Sequence, residues 1–474
     1  MSATAPAATL ATTLSEGLRA SLDQGWAFGA RQASASPLFV QNLRHDGLEA
    51  LGKLGFPRPS DEEWRYTSVA TIARRLPDFV PADAGPGASA SPASSARASS
   101  AGASSARAAL AALGPLAVSG RKHHQLVFVN GRLDTELSSF DGPPAGVRFD
   151  PLSRLFAAPP DLLEKRLGLL GGHRTHPFVA MNAAFLLDGA FVHVPDGVVL
   201  AEPLLVVHVA DGSVGRVASH PRVVISLGEN AQATVVEAYC GTGEAFVNPV
   251  TEIVLGAHAH LDHTKLQEES PEAFHLGTAD AHLGPGAQLF SHVLSIGGRL
   301  VRNELTVRLH GDGAGATLDG LFLARGEQQV DNHTLVDHAR PHGGSQQYYK
   351  GILDGSARGA FDGKVIVRAA GAFTDAHQKN RNLLLSDTAR IDAKPQLEIY
   401  NNDVKCTHGS ATGRLDADAL FYLRSRALSE SQARSVLTLA FASEIVDRVP
   451  FQPLKAHLTE RVLGWLAGSI SESR

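Results

Sequence analysis

Between residues 191 and 413 the chain is a succession of short apolar segments, each ended by glycine or a polar turn. Examples are LLVVHV, RVVISL, TEIVLG and ELTVRLHG, and none shows the period of an amphipathic helix. Turn-and-strand sequences such as GENAQATVVE, GAHAHLDHT and GPGAQLFSH recur at roughly 26 to 29 residues, with one step of about 43. Strands at a near-fixed repeat, without intervening helices, predict a stacked β-helix, which is a solenoid. An irregular β-sandwich is the alternative that this pattern leaves open.

Helical periodicity is confined to the two ends of the chain. In SPLFVQNLRHDGLEALGKLG, apolar residues three and four positions apart predict a helix that ends at Gly55. Further helices are expected after Gly413, in LDADALFYLRSRAL, SESQARSVLTLAFASEIVDRVP and FQPLKAHLTERVLGWLAGSI. Ser429, with Gln432 three residues later, is a capping box that predicts the start of the second of these.

That second C-terminal helix carries a mostly apolar stripe. The stripe consists of Leu437, Ala440, Phe441, Glu444 and Ile445. Its apolar surface exceeds what a hairpin of terminal helices needs for its own packing. The stripe therefore predicts either a cap on the end of the solenoid or a surface that docks another protein, and these two roles are compatible.

These patterns divide the chain into five predicted parts. The segment that follows residue 80 is rich in alanine, serine, glycine and proline and has no aromatic residue, which predicts a flexible insert. After it, LVFVNGRLD predicts a β-hairpin with an Asn-Gly turn. The predicted parts are an N-terminal helical domain (1–80), the insert (81–120), a mixed hairpin and helical lead-in (121–190), the β-helix core (191–413) and a C-terminal helical domain (414–474).

Charge and hydropathy argue against nucleic acid and membrane partners. The formal net charge is -5, and no run of roughly eighteen apolar residues exists, so neither nucleic acid nor a membrane is expected to bind. The first residues lack the charged and apolar regions of a secretory signal. Cys240 and Cys406 are too few for a disulfide framework, which suits a reducing compartment. We therefore expect a cytoplasmic protein.

The stretch from Phe373 to Gly413 contains a cysteine close to a histidine. Within it, VKCTHG predicts a short strand ended by glycine. Because residues two apart in a strand project to the same side, Cys406 and His408 are expected to face the same way. A thiolate and an imidazole are ligands of soft and borderline metal ions, so this pair predicts half of a metal site.

Other residues suggest chemistry less strongly. Two groups of histidines lie close together in the sequence, namely His258, His260 and His263, and His333, His338 and His342. Neither group has the spacing of a zinc motif, and strand alternation predicts that these side chains face solvent. The glycine-rich segments lack the strand, loop and helix context of a phosphate-binding loop, so no nucleotide is expected on this chain. Cys240, in VVEAYCG, predicts a buried and unreactive thiol.

The sequence QKNRNLLLSDTARIDAKPQLEIYNNDVKCTHGSATGRLDADALFYLRSRAL is about fifty residues long and too specific for a chance match. It resembles the signature of the SufB/SufD family of iron-sulfur cluster assembly scaffolds, and it is closer to the SufD branch. GFPRPSDEEWRYT and LVFVNGRLD are weaker similarities that extend the resemblance over most of the chain. The resemblance implies a mainly β fold: a right-handed parallel β-helix core flanked by N-terminal and C-terminal helical domains.

The resemblance also implies a function, that of a non-catalytic scaffold subunit of the SUF machinery. In that family a nascent, transient iron-sulfur cluster is shared with a partner subunit, and the position that matches the SufD ligand is His408, with Cys406 close by. The C-terminal helices are implied to dock a SufC-type ATPase, and the β-helix is implied to contact a SufB-type paralogue. Whether the isolated chain forms a homodimer stays open.

Three other functions remain as alternatives. The alternatives are a SufB-type paralogue, a carbohydrate-active β-helix enzyme and an interaction solenoid without metal. Against the carbohydrate-active enzyme stand the missing secretory signal and an aromatic content of only 6%, since such enzymes use exposed aromatic rings to hold sugars. An iron and sulfide assay on the chain purified anaerobically with its partners separates the scaffold from the metal-free solenoid.

Overall fold

The chain folds around a parallel β-solenoid in which successive strands alternate between two sheets. The computed structural model describes residues 36–76, 80–81, 107–114, 124–139, 144 and 146–471. Its strands are β1 (Val80–Pro81), β2 (His124–Val129), β3 (Arg132–Leu133), β4 (Arg148–Pro151), β5 (Gly189–Val194), β6 (Leu204–Ser219), β7 (Arg222–Leu227), β8 (Gln232–Val247), β9 (Val250–Leu255), β10 (His260–Glu268), β11 (Phe274–Leu283), β12 (Gln288–Ser295), β13 (Leu300–Leu309), β14 (Gly315–Ala324), β15 (Gln329–His338), β16 (Gly344–Leu353), β17 (Arg358–Val367), β18 (Thr374–Leu384), β19 (Arg390–Ile399) and β20 (Val404–Gly413).

Each strand of the solenoid pairs with the strand two places further along the chain. The even-numbered strands from β6 to β20 form the first sheet, and the odd-numbered strands from β5 to β19 form the second sheet. The pairings along both sheets are parallel, as for β10 with β12 and β11 with β13. The prediction of a mainly β chain with a parallel β-helix core and helices at both ends is confirmed. The β-sandwich is excluded, because its sheets are antiparallel.

The helices lie before, beside and after the solenoid. They are α1 (Leu38–Leu54), α2 (Ala70–Arg75), α3 (107–112), α4 (Leu152–Leu155), α5 (Asp161–Glu164), α6 (Pro177–Ala184), α7 (Ala417–Ser425), α8 (Glu430–Val446) and α9 (Gln452–Ser471), with a short 3-10 helix at Glu62–Trp64. The capping box at Ser429 and Gln432 is confirmed at the start of α8. Within the described residues, no helix is both long enough and apolar enough to cross a membrane.

A β-hairpin leads into the solenoid at the predicted place. Strands β2 and β3 are antiparallel, with Phe128 opposite Leu133. Asn130 and Gly131 form the turn with φ angles of 50° and 80°, as a type I′ turn requires, so the hairpin prediction is confirmed. Strand β2 then pairs in parallel with β6 and extends the first sheet by one strand.

Apolar side chains in register fill much of the solenoid interior. On the first sheet Leu261 lies opposite Leu289, and Leu289 lies opposite Ala316. On the second sheet Ala281 lies opposite Val307. All five are buried, and full burial of one leucine stabilises the fold by roughly 1.5–3 kcal/mol. A regular repeat in the sequence therefore becomes a continuous core along the solenoid axis.

The N-terminal helices cover the outer side of the second sheet. Helix α1 packs tightly on α6 at Gly47, where an added Cβ would lie 2.7 Å from the carbonyl oxygen of Ala180. Further along, the ring of Trp64 is buried and lies 3.9 Å from the guanidinium of Arg302 on β13. These contacts place α1, α6 and the 3-10 helix on one side of the solenoid and leave its C-terminal end uncovered.

The C-terminal helices pack on the outer side of the first sheet. Ile445, Leu458 and Trp465 from α8 and α9 join an apolar cluster with Leu266 and Ile352 of that sheet. Polar contacts surround this cluster: His457 Nε2 lies 3.0 Å from Glu268 Oε2, and Lys350 Nζ lies 2.9 Å from Glu444 Oε2. Helices α8 and α9 therefore lie along the side of the solenoid and not across its end.

Part of the predicted insert takes part in this packing. Residues 107–112 form α3, and Ala109, Leu110 and Leu113 are buried in the same cluster as Ile445. Residues 82–106 and 115–123 lie outside the described residues, as does the predicted helical sequence between residues 1 and 35. The five-part division of the chain stays a prediction.

We predict that Glu252→Ala strongly destabilises the fold. Glu252 and Arg222 are fully buried, and Arg222 Nε lies 2.7 Å from Glu252 Oε1. Removing the carboxylate leaves the guanidinium buried without its counter-charge, which costs roughly 3–5 kcal/mol. Urea unfolding measures the loss. Glu49→Ala, which breaks an exposed pair with Lys53, is the control and should leave the midpoint unchanged. Equal midpoints for the two variants would contradict the prediction.

We also predict that buried histidines make the fold sensitive to acid. Burial lowers the pKa of His338 to about 4, whereas an unfolded histidine titrates near about 6.5. The unfolded chain therefore binds more protons between these values, and stability falls as pH decreases from about 6.5 to about 4. His338→Gln should flatten this dependence in urea unfolding, while the same change at the exposed His310 should not. An unchanged slope for His338→Gln would refute the prediction.

Candidate functional site

The predicted site lies on the last coil of the first sheet. Strand β20 pairs in parallel with β18, with Cys406 opposite Ala376 and His408 opposite Gln378. Among the strands that the structure describes, β18 is the pairing partner of β20, so the other edge of β20 carries unpaired backbone groups. An exposed strand edge of this kind is a template for pairing with another chain.

Cys406 and His408 differ in their surroundings, although they lie two residues apart on one strand. Cys406 is half-buried and packs against the inner apolar cluster of Val365, Val367 and Ala376. His408 lies opposite the buried Gln378 and is exposed, because β20 is the last strand that the structure describes and no coil covers it there. The register therefore places both residues on the side of β20 that continues the inner side of the solenoid.

The local environment keeps the Cys406 thiol protonated. Burial raises its pKa above the usual value; Asp375 raises it further, and a hydrogen bond from the backbone N–H of Ala376 works in the opposite direction. Because the thiolate is the species that binds metal ions, binding at Cys406 has to displace a proton. An approaching metal cation supplies the charge for that displacement.

A second histidine near the pair lies on the opposite side of the sheet. His377 Nδ1 is 2.7 Å from Thr407 Oγ1, and its Nε2 is 2.8 Å from Asp375 Oδ1. Strand alternation directs His377 and Thr407 away from the side of Cys406 and His408. The structure therefore does not bring His377 into the predicted site.

The pair does not form a complete metal site within this chain. Nowhere in the described part of the chain do three or more His, Cys, Asp or Glu side chains group closely enough to hold a metal ion. An iron-sulfur cluster or iron ion that binds Cys406 and His408 as cargo needs its remaining ligands from elsewhere. The metal-binding role of the two residues stays a prediction.

Several polar residues beside the pair were not predicted from the sequence. Gln378, Asn380 and Asn382 are buried on the inner side of β18, and Ser410 Oγ lies 3.2 Å from Asn380 Oδ1. The signal was present in QKNRN, where amides recur at every second position, as inward-facing strand positions require. The open end of the solenoid therefore has a polar inner surface.

Part of the prediction about the two histidine groups was wrong. His263 and His338 are buried inside the solenoid, whereas the prediction from strand alternation is that they face solvent. Each has a polar partner: His263 Nε2 lies 2.8 Å from Glu237 Oε1, and His338 Nε2 lies 2.9 Å from Ser345 Oγ. Alternation distinguishes the two sides of a strand but does not determine which side faces inward. The predicted exposure of these two histidines was therefore wrong.

Cys240 agrees with its sequence context. It is buried where the first sheet contacts the C-terminal helices. Burial raises the pKa of its thiol well above the usual value, and the carboxylates of Glu269 and Glu268 raise it further. A thiol in this state is a poor nucleophile and a poor metal ligand, so Cys240 is a packing residue.

Comparisons with protein families match most of the solenoid. Residues 208–441 match the SufBD core domain of SUF system FeS cluster assembly, and residues 117–206 match the N-terminal region of SufBD proteins. The first of these matches includes β18, β20, Cys406 and His408.

Alignments with individual relatives cover most of each relative and most of this chain. An iron-sulfur cluster assembly SufBD family protein of Synechocystis is 30% identical, over 89% of this chain and 90% of the relative. The iron-sulfur cluster assembly protein SufD of Escherichia coli is 31% identical, over 71% of this chain and 78% of its own length. SufD of Bacillus subtilis is 24% identical, over 93% of this chain and 97% of its own length. The chain therefore belongs to the SufBD family of SUF system iron-sulfur cluster assembly proteins.

Proposed function

We propose that this chain is a non-catalytic scaffold subunit that acts with a SufB-type paralogue and a SufC-type ATPase in the cytoplasm. The observation that carries the proposal is the match of residues 208–441 to the SufBD core domain, together with relatives named SufD. The two cysteines are free, which fits a reducing compartment. The nascent cluster is cargo that the complex assembles and releases, and this chain binds no nucleotide of its own.

Cluster contact is proposed at Cys406 and His408. The two side chains offer sulfur and nitrogen donors on the inner side of β20, at an edge that a second chain can approach. Two donors on one chain hold a cluster weakly, and a partner that supplies the remaining ligands completes the site. Neutral imidazole suits this role, because it binds iron without adding charge and releases it easily.

The paralogue is proposed to cover the open end of the solenoid. The free edge of β20 offers backbone hydrogen bonds, and the half-buried Cys406 and Leu397 leave part of the last coil's inner cluster uncovered. A second β-helix whose last coil meets this end satisfies both requirements and brings its own ligands to His408. The same end offers a surface for a second copy of this chain when the paralogue is absent.

The ATPase is proposed to dock on the exposed part of the C-terminal helices. Ile445 of the apolar stripe is buried against the first sheet, and Phe441 is partly buried there, so these residues serve internal packing. On α7, by contrast, Phe421 and Tyr422 are 75% and 57% exposed. Large aromatic side chains with this much exposure are frequent anchors of protein interfaces. We therefore assign docking to α7 and not to the whole stripe.

We predict that His408→Ala lowers cluster assembly roughly tenfold or more in the complex reconstituted with both partners, because it removes a ligand without disturbing the core. Iron and sulfide bound after anaerobic reconstitution measure the effect. The matched control is His377→Ala, an exposed histidine on the opposite side of the neighbouring strand. Cys406→Ala should have a milder effect. Full assembly by His408→Ala, with partner binding intact, would place the site elsewhere.

A second prediction concerns Phe421→Ser combined with Tyr422→Ser. This double variant should weaken binding of the ATPase subunit roughly tenfold or more, because it removes the exposed aromatic anchors. Titration calorimetry or a quantitative pull-down measures the affinity. Leu169→Ser, at a residue 57% exposed on a distant surface, is the control and should bind normally. Undiminished binding by the double variant would refute docking on α7 but would leave the cluster site untouched.

A further inference from the structure

The solenoid interior contains a group of polar side chains that face one another between the two sheets. Glu237, His263 and Lys265 face inward from β8 and β10 of the first sheet, and Asn303 faces inward from β13 of the second sheet. All four are buried, and the charged residues Glu237 and Lys265 lie opposite each other in register. Groups of this kind persist in a protein interior only when their hydrogen bonds are made.

One set of hydrogen bonds centres on Glu237. Its Oε2 accepts a hydrogen bond of 2.6 Å from the Tyr239 hydroxyl. Thr251 Oγ1, from the second sheet, donates at 3.0 Å, and His263 Nε2 lies 2.8 Å from Oε1. With Nε2 directed to the carboxylate, the other ring nitrogen of His263 faces away from Glu237. That atom, Nδ1, is buried without a hydrogen-bond partner.

A second set centres on Lys265. Its Nζ donates to Asn303 Oδ1 at 2.8 Å, and Asn303 Nδ2 donates at 3.1 Å to Ser295 Oγ and at 3.2 Å to Asn332 Oδ1. The room for the ammonium group depends on Gly277, because a Cβ there would lie 2.1 Å from Nζ. An ammonium has three N–H groups, and the bond to Asn303 uses one of them.

A small cavity lies between the two sets. Its volume is about 20 Å³, and its lining includes His263, Lys265, Ser291 and Asn303. Two buried polar atoms of these lining residues have no hydrogen-bond partner, His263 Nδ1 and Ser291 Oγ. Together with Lys265 Nζ they give the cavity a charged donor, a hydroxyl and a ring nitrogen.

We propose that this cavity is a binding site for one internal water molecule, held by Ser291, His263 and Lys265. The volume fits a single water, which needs roughly 10–15 Å³ of such space and two to four polar partners. Water both donates and accepts, so it can donate to His263 Nδ1 while its oxygen accepts from Lys265. A metal cation is disfavoured by the ammonium group of Lys265, and the cavity is too small for polyatomic anions.

The bound water would connect the two sheets inside the solenoid. It links the Glu237 set, through His263, to the Lys265 set, through Nζ, so the two opposite charges belong to one hydrogen-bonded network. It also fixes the tautomer of His263, with the proton on Nε2 toward Glu237 and Nδ1 as the acceptor. This site is independent of Cys406 and His408 and does not rest on the proposed function.

A crystal structure of the unmodified chain at high resolution tests the site directly. We expect one density peak within hydrogen-bond distance of Ser291 Oγ, His263 Nδ1 and Lys265 Nζ. The ¹⁵N shifts of His263 should report a neutral ring protonated at Nε2. An empty cavity, a peak with the coordination of a metal ion, or a ring protonated at Nδ1 would each overturn the proposal.

Substitutions give a second test in solution. Ser291→Val fills the cavity with methyl groups and should reduce the number of long-lived internal waters, measured by magnetic relaxation dispersion, by one. The matched control is Ser345→Val, at a buried inward-facing serine that does not line the cavity. An equal water count in Ser291→Val and the unmodified chain would contradict the site. If Ser291→Val does not fold, the density in the unmodified chain still decides.

Discussion

Parallel pairing of each coil with the next is the interaction on which the rest of the structure depends. A strand in the solenoid makes its backbone hydrogen bonds to the strands of the coils before and after it, as β18 does with β16 and β20. The same rule leaves β20 unpaired along one edge, because no further coil follows it in the described part of the chain. The backbone pairing that builds the solenoid thus also creates the open edge beside Cys406 and His408.

The flanking helices leave that edge accessible. Those of the N-terminal region cover the second sheet through Trp64 and its neighbours, and α8 and α9 cover the first sheet through Ile445 and Leu458. Both groups of helices pack against outward-facing side chains of the strands, so neither group closes the end of the solenoid. The exposed aromatic pair on α7 and the free edge of β20 therefore both stay accessible.

Polar side chains inside the solenoid change character along its axis. Near β8 and β10 the interior holds the carboxylate of Glu237 and the ammonium group of Lys265, and each makes short hydrogen bonds to uncharged neighbours such as Tyr239 and Asn303. Near the open end it holds uncharged amides, among them Gln378 and Asn382. Amides make hydrogen bonds to water or to a partner's polar groups, whereas buried charges persist only when they are paired and hydrogen-bonded.

The sequence by itself determined the solenoid, the flanking helices, the hairpin at Asn130 and Gly131 and the shared strand of Cys406 and His408, because period, turn chemistry and alternation are local properties. Only the tertiary structure decided which side of each strand faces inward, and therefore that His263 and His338 are buried and that Ile445 packs internally while Phe421 does not. The physical reason is that alternation along a strand divides its side chains into two sets but does not determine which set is buried. That is determined when the coils stack, and the exposure of a single residue depends on elements far away in the sequence.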